Sequence, residues 1–469
     1  MRFGYHRRRV ADTLAALKAS RALAERERVS RAALEQYQRE RVAAIVRYAA
    51  ANSVFYRERF EGLVGAGPVD LAALPALDKR LMMDRYDDLV TDRRVRRDET
   101  LAWIEGLERD SLLHGRYRAM TTSGSSGRKG LFVYDEPGWR AIMAGFLRYN
   151  ALVGIRPRLP RRMRIAAIVG ESPYQMAPQV SSTFSIGIHR ILRLPVTMPL
   201  DEMVAELNRF QPHIMNPYPS VGLLLAEQQL AGRLRISLDS MSVSSEICTP
   251  EMAERMQAAF GVRPFNLYAS TEGAWGCECE RHDGVHLFED VCLVENVDEQ
   301  NRPVPTGEPG ARILVTNLHN LVQPIIRLEL ADVLTIDPEP CGCGRTLIRA
   351  RAVEGRSDDV LRLPAQTGGT VAVMPGHFGV VTRDRGVAEF QVRQEGDVLR
   401  VRVVARPGAD GGLGERLHAA VTEKLERLGA AAPEVVVERV AELPRANGGK
   451  LQMVVSDTRS PAHVPRAPV

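Results

Sequence analysis

Several stretches of this 469-residue chain carry side chains whose types and spacing could do chemistry. In Thr121-Thr122-Ser123-Gly124-Ser125-Ser126-Gly127-Arg128-Lys129-Gly130 the glycines free the backbone, so that successive N–H groups can converge on phosphate oxygens. Hydroxyls add donors and Lys129 adds a point charge. The spacing is not that of a Walker A loop, and a plain Gly/Ser linker is the alternative. Against a linker stands the rarity of lysine, which occurs only at Lys18, Lys79, Lys129, Lys424 and Lys450 among 63 basic residues. Tyr268-Ala269-Ser270-Thr271-Glu272-Gly273 offers a ring to stack on a purine, a hydroxyl for a phosphate and a carboxylate for a divalent cation. Cys279, His286, Cys341 and Cys343 form a Cys₃His set suited to tetrahedral zinc, with Cys277 or His282 able to replace one ligand and buried free thiols as the plain alternative. Gly355-Arg356-Ser357-Asp358-Asp359 and Pro444-Arg445-Ala446-Asn447-Gly448-Gly449-Lys450 could each be a surface turn.

The elements that must hold these residues follow from periodicity. Val10 to about Tyr56 is charged and Ala/Leu-rich with helical spacing, and Leu74-Pro75-Ala76-Leu77 breaks it. Helices are expected at Pro137 to Val153, Asp201 to Arg209, Ser220 to Leu230 and Pro250 to Phe260. Strands are expected at Arg164 to Val169, His213 to Asn216, Met241 to Ser244 and Phe265 to Tyr268. That alternation implies an α/β fold with parallel strands, whose ligands gather at the carboxyl ends of the strands. Beyond Cys343 the texture becomes α+β, with a hairpin over Ala388 to Val404, a helix at Leu413 to Leu428 and a strand at Glu434 to Val440. The expected division is 1–357 for a large N-terminal unit, 358–459 for a small C-terminal unit and 460–469 for a disordered tail.

Composition narrows the classes. The chain is 45% hydrophobic and 26% charged with a net charge of +5, and its acids are interleaved with its bases, so no basic stripe for nucleic acid stands out. No apolar run is long enough to span a bilayer, and the N-terminus lacks the apolar core of a signal peptide. The sequence therefore reads as cytoplasmic, with six cysteines that are thiols or metal ligands rather than disulfides.

Taken as an ordered set from Thr122 to Lys450, these motifs resemble the adenylate-forming (ANL) superfamily. Tyr48-Ala49-Ala50-Ala51-Asn52-Ser53-Val54-Phe55-Tyr56-Arg57, Leu74-Pro75-Ala76-Leu77-Asp78-Lys79 and the Cys-rich middle are similar to its phenylacetate-CoA ligase and coenzyme F390 synthetase-like branch. The resemblance implies a large ATP- and substrate-binding domain with parallel-rich sheets and a small mobile lid domain. It implies that Thr122, Ser123, Gly124, Ser125, Ser126, Gly127 and Lys129 hold the β- and γ-phosphates of ATP. Ser244, Ser245 and Glu246 match the "GAE" adenine segment, and Tyr268 would stack on adenine. Thr271 would contact the α-phosphate, Glu272 the Mg²⁺, Asp332 the ribose hydroxyls and Arg356 ribose or phosphate. Asp358 would be the hinge, and Lys450 the catalytic lysine of adenylation. The zinc set is structural in that branch.

The activity so implied is activation of a small aromatic carboxylic acid as an acyl-adenylate, with release of pyrophosphate and transfer to CoA. Residues Leu361 to Thr370 depart from the family's thiol-acceptor segment, and Glu329 stands where a basic residue is usual near Asp332. An amine, a carrier-protein thiol, or nitrite as the activated oxyanion (a diazotising ligase) are the alternatives. Tyr134, Phe146, Tyr218 and Ser244 are substrate-pocket candidates by position, and homodimers are common among related enzymes.

Overall fold

The computed structural model describes residues 2–107, 111–122, 130–155, 162–170, 175–184, 187, 189–431, 433–446 and 449–456. The phosphate-loop candidates Ser123 to Lys129 and the expected tail 460–469 lie outside the described residues. The chain opens with two long helices, Arg2–Arg26 and Arg31–Asn52, and Ser30 caps the second by accepting from the Ala33 amide.

Among the described residues the largest sheet has nine strands. From one edge they are Asp332–Ile336, Arg349–Arg356, Val285–Leu287, Trp275–Glu278, Phe265–Ala269, Ser240–Ser244, Ile214–Asn216, Met163–Val169 and His189–Pro195. The last five, which include all four strands expected from the alternation over Arg164 to Tyr268, are mutually parallel as expected, and the first four add an antiparallel half. The parallel half is joined by helices that bury an apolar stripe, as Pro250–Phe260 does with Met252, Ala253, Met256 and Phe260. Thr249 caps that helix at the Met252 amide, and Gly261 at φ +74° ends it, a backbone state in which a Cβ is strained.

Leu361, Phe378, Phe390, Val401, Leu417 and Val421 belong to a separate core built only from residues 361–454. There the helix Leu413–Arg427 packs on a four-stranded sheet ordered Glu434–Arg439, Val398–Ala405, Val387–Glu395, Val454–Ser456. None of the described helices is long and apolar enough to cross a membrane.

Candidate active site

The candidate residues meet where the carboxyl end of the strand Phe265–Ala269 faces the chain's C-terminal part. The turn after that strand is pinned from several sides. The Ser270 amide donates to the Ala274 carbonyl at 2.9 Å, and the Ala274 amide donates to Ser270 Oγ at 3.1 Å. Gly273 has φ +109°, and a Cβ there would lie 2.6 Å from Asn317 Nδ2, so only glycine fits. Tyr134, fully buried, donates its hydroxyl to the Thr271 carbonyl at 2.6 Å. This substrate-pocket candidate therefore props the turn that carries Thr271 and Glu272.

The hairpin Arg118–Thr121 with Leu131–Tyr134 brings both ends of the Gly/Ser loop to the same place. The Thr122 amide donates to the Gly130 carbonyl at 3.0 Å, and the Gly130 amide donates to Thr122 Oγ1 at 2.8 Å. Beside this base stands Lys79. Its Nζ donates to Glu272 Oε1 at 3.0 Å, and its Cε would lie 3.4 Å from a Cβ placed on Gly130. Sequence reading gave Lys79 no role. Its signals were the scarcity of lysine, its place at the end of the family-like segment Leu74 to Lys79, and Asp78 before it, which caps the helix Lys79–Asp84 at the Leu81 amide. Arg327 fixes the preceding segment by donating to the Ala72 carbonyl at 2.9 Å and to that of Leu74, while the Leu77 amide donates to the Arg327 carbonyl at 2.9 Å. Glu329, between buried Leu328 and Leu330 in the short strand Leu328–Leu330, accepts from Asn301 and faces Arg312.

A second group lies on the other side of Glu272. Tyr268 donates its hydroxyl to Asp332 Oδ2 at 2.8 Å. Burial, and then repulsion from Asp332, pushes the phenol well above its ordinary value, so it stays a donor. Burial also raises Asp332, against the opposing pull of Arg356, which pairs with it in register across neighbouring strands. Lys450 feels the same group: burial pushes its ammonium below the ordinary lysine value, Glu246, Asp332 and Glu272 pull it back up, and Arg356 adds to the fall. Thus Lys450, Glu246, Glu272, Asp332 and Arg356, scattered over two hundred residues, form one electrostatic cluster. The backbone of Asp358 lies in the short turn Ser357–Asp359, directly after Arg356.

No family model matches the sequence. Curated relatives do: the phenylacetate-coenzyme A ligase of Thermus thermophilus is 26% identical over 92% of this chain and 98% of its own length. That of Pseudomonas putida is 24% identical over 94% of this chain and 90% of its own length. The fold is that of a 2-hydroxyisobutyryl-CoA ligase in its postadenylation state, at a TM-score of 0.73 and 20% identity over 93% of this chain and 92% of that one. Over almost its whole length the chain is similar in sequence to phenylacetate-CoA ligases, and it shares its fold with a CoA ligase of known structure. Against the same 2-hydroxyisobutyryl-CoA ligase in its thioesterification state the TM-score is 0.59, with 92% of each chain covered at 19% identity.

The remaining pocket candidates sit near an aromatic cluster. Half-buried Phe146 stacks on Phe184 at 5.3 Å between centroids and meets Tyr149 at 5.2 Å and Trp275 edge-on at 6.3 Å. Tyr149 shares a hydrogen bond with Ser242, which donates to Asn216 Oδ1 at 2.8 Å. Ser244 ends the same strand, and Tyr218 accepts from the Gly170 amide at 3.3 Å.

The cysteine cluster is separate from the group around Glu272 and Lys450 and is brought together by the antiparallel half of the sheet. The ligand atoms of Cys279, His286, Cys341 and Cys343 all lie within 4.8 Å of one another. Cys279 Sγ is 3.8 Å from Cys341 Sγ, and Cys343 Sγ is 3.5 Å from His286 Nε2. A tetrahedral zinc with bonds of about 2.3 Å to sulfur and about 2.0 Å to nitrogen spaces its ligands by about 3.8 and 3.5 Å, so the donor set fits that ion. His286 Nδ1 lies 3.3 Å from the Leu347 carbonyl, which assigns the ring proton to Nδ1 and leaves Nε2 for a metal. His282 instead pairs with Glu278 at 3.0 Å and stacks on Phe265. Cys277 is fully buried and outside the group of four.

Proposed function

We propose that the chain is an ATP-dependent acid–thiol ligase that joins a small aromatic carboxylic acid to AMP, releases pyrophosphate and passes the acyl group to CoA. The observation that carries this reading is that Tyr268 donates to Asp332, Asp332 pairs in register with Arg356, and Glu246, which ends the neighbouring segment, holds the amide next to Lys450, whose ammonium feels Glu246, Asp332 and Glu272. A carboxylate oxygen attacks the α-phosphorus of ATP, the bond to the pyrophosphate oxygen breaks, and both reactants are anionic. Lys450 offsets that repulsion and aligns them. Asp332 receives the ribose hydroxyls, the Tyr268 ring faces adenine, and the Thr271 hydroxyl reaches the α-phosphate. Magnesium, when bound with Glu272, supplies charge neutralisation on the phosphates. The aromatic group around Phe146 supports an aryl acid. In the second half-reaction residues 358–459 turn about Asp358 and withdraw Lys450.

Zinc on Cys279, His286, Cys341 and Cys343 is structural in this reading, since four protein ligands leave no open position. ATP–pyrophosphate exchange across a panel of aryl, arylalkyl and hydroxy acids, followed by product analysis with CoA, tests the proposal. Acid-dependent exchange and an acyl-CoA product are expected, and no exchange with any acid would overturn it. Exchange with an amide or diazo product instead of a thioester would change only the acceptor or the oxyanion.

Lys79 joins the machinery because it neutralises Glu272, a carboxylate only 5% exposed. Lys79→Met keeps the length and removes the charge. It is expected to lower kcat/KM for ATP by roughly tenfold or more, the worth of a charged hydrogen bond. Lys18→Met, on an exposed helix position, is the control that leaves exchange as it was.

A further inference from the structure

Glu246 does something that an adenine-binding segment does not require. Ser245 before it has φ +74°, in the left-handed region that a serine occupies only at a cost. After that turn the Glu246 carboxylate accepts two backbone amides from distant parts of the chain. Oε2 takes the Ser220 amide at 3.0 Å, and Oε1 takes the Leu451 amide at 2.7 Å. Leu451 is the residue after Lys450. The same segment is tied down again upstream, where Arg445 donates to Ser220 Oγ at 3.1 Å and pairs with Glu389. The Ala446 amide donates to the Lys450 carbonyl at 2.9 Å, and the Gly449 amide donates to the Ala446 carbonyl at 3.0 Å. Gly449 has φ +77°, and a Cβ there would fall 2.1 Å from Val196 Cγ2. The Lys450 segment is therefore seated against the large sheet's edge with no room for a side chain, and one carboxylate anchors it.

We propose that Glu246 is a positioning residue for Lys450: its carboxylate is the dock on which residues 445–451 seat to bring the lysine into the adenylation site, and it lets go when that segment leaves. The inference rests on the ligase reading above and adds a device to it. A carboxylate suits the task because one acidic group accepts two amides at once, and because its charge favours the ammonium one residue before the anchored amide. Undocking exposes the carboxylate and the Leu451 amide to water, so the contact is reversible. A hydrophobic dock would instead leave apolar surface exposed each time the segment left.

The test uses the full chain with two variants that attack the contact from opposite sides. Glu246→Gln leaves one acceptor oxygen and sets an amide N–H₂ against a backbone donor. Gly449→Ala puts a methyl group into Val196. In both, the rate of pyrophosphate exchange relative to CoA-dependent consumption of pre-formed acyl-adenylate is expected to fall at least tenfold, with KM for ATP within about twofold of wild type, the pattern for loss of one charge-assisted hydrogen bond. Amide hydrogen exchange in the ligand-free protein gives a readout that needs no activity. Leu451 is expected to be protected in the wild type and to exchange at least tenfold faster in Glu246→Gln, with the later turns of the neighbouring helix, residues 223–230, unchanged. Equal losses in both half-reactions, or a Leu451 amide equally protected in variant and wild type, would overturn the dock. A wild type without acid-dependent exchange would overturn the ligase reading alone, and the Leu451 comparison would still decide the dock.

Discussion

Lys450→Ala is expected to lower ATP–pyrophosphate exchange by about 10²–10³-fold, the scale for removing one preorganised charge from a developing oxyanion. Consumption of pre-formed acyl-adenylate by CoA should change far less, because the lysine leaves the site for that step in the proposed cycle. The electrostatics add a pH signature. Burial lowers the Lys450 ammonium, and although Glu246, Asp332 and Glu272 oppose the fall, the net direction is down. Adenylation needs the charged form. The exchange rate should therefore hold below the lowered pKa and decline as pH rises through it, at a pH under the ordinary lysine value. Lys450→Arg keeps a charge that does not titrate in that range, so its profile should lose the alkaline decline while its maximal rate falls, since a planar guanidinium cannot replace a compact ammonium in a confined site. An alkaline limb that persisted in Lys450→Arg would assign the titration to another group. Initial rates of exchange between pH 7 and 10.5 in the three proteins make the comparison.

Why Lys450 could be singled out before its surroundings were seen, whereas Lys79 could not, is a matter of distance along the chain. Both are rare lysines in an arginine-rich sequence. Lys450 sits in a glycine-flanked motif with its own local signature, but Lys79 acquires its meaning from Glu272, 193 residues away. Local signals served well wherever an element's own side chains decide its form. The helix Pro250–Phe260 has its cap, its apolar stripe and its terminal glycine in sequence, and it forms over the expected residues. The hairpin Val387–Glu395 with Val398–Ala405 likewise forms over the span expected for it, Ala388 to Val404. The strand His189–Pro195 escaped because it is an edge strand, with only Leu194 buried and arginines breaking its alternation. The antiparallel run from Trp275 to Arg356 escaped for another reason. The pairs that define it, such as His286 with Arg349 and Asp332 with Arg356, are set by register between segments. That register is also what brings Asp332 under Tyr268 and Cys341 beside Cys279, so the proximity of residues whose types were readable had to wait for the fold. Tyr134 shows the converse: its place in sequence suggested a pocket wall, and its hydroxyl is spent on the Thr271 carbonyl.

Removal of the proposed zinc should be felt far from the four ligands. Burial pushes the Cys279 thiol up to about 12 against the Arg281 amide, and the neighbouring Cys343 and Cys341 add to the rise, so a bound cation is what would keep the Cys279 thiolate ionised. The loop that carries Cys341 and Cys343 is also the fastening for the N-terminal helices. The Thr346 amide donates to the Glu27 carbonyl at 2.7 Å, the Thr346 hydroxyl donates to the Val29 carbonyl, and Arg345 pairs with Glu27 at 3.0 Å. Glu27 in turn meets buried Arg148, which grips Asp290 at 2.7 Å beside Arg26. A chelated protein, or a Cys341→Ser variant, therefore loses the loop's shape first and then the joint between the helices Arg2–Arg26 and Arg31–Asn52. Metal analysis is expected to find one zinc per chain. Chelation is expected to remove about 4 kcal/mol of stability, the linkage term for a ligand held at 1,000 times its dissociation constant. Hydrogen exchange should show residues 23–31 opening before the strand Phe265–Ala269, because the former hang on the zinc loop and the latter is paired on both sides within the sheet. Purified protein without zinc, or a thermal transition indifferent to chelator, would return these cysteines to the status of buried thiols. Loss of adenylation on chelation with residues 23–31 still protected would instead put the metal's influence on the ligase site.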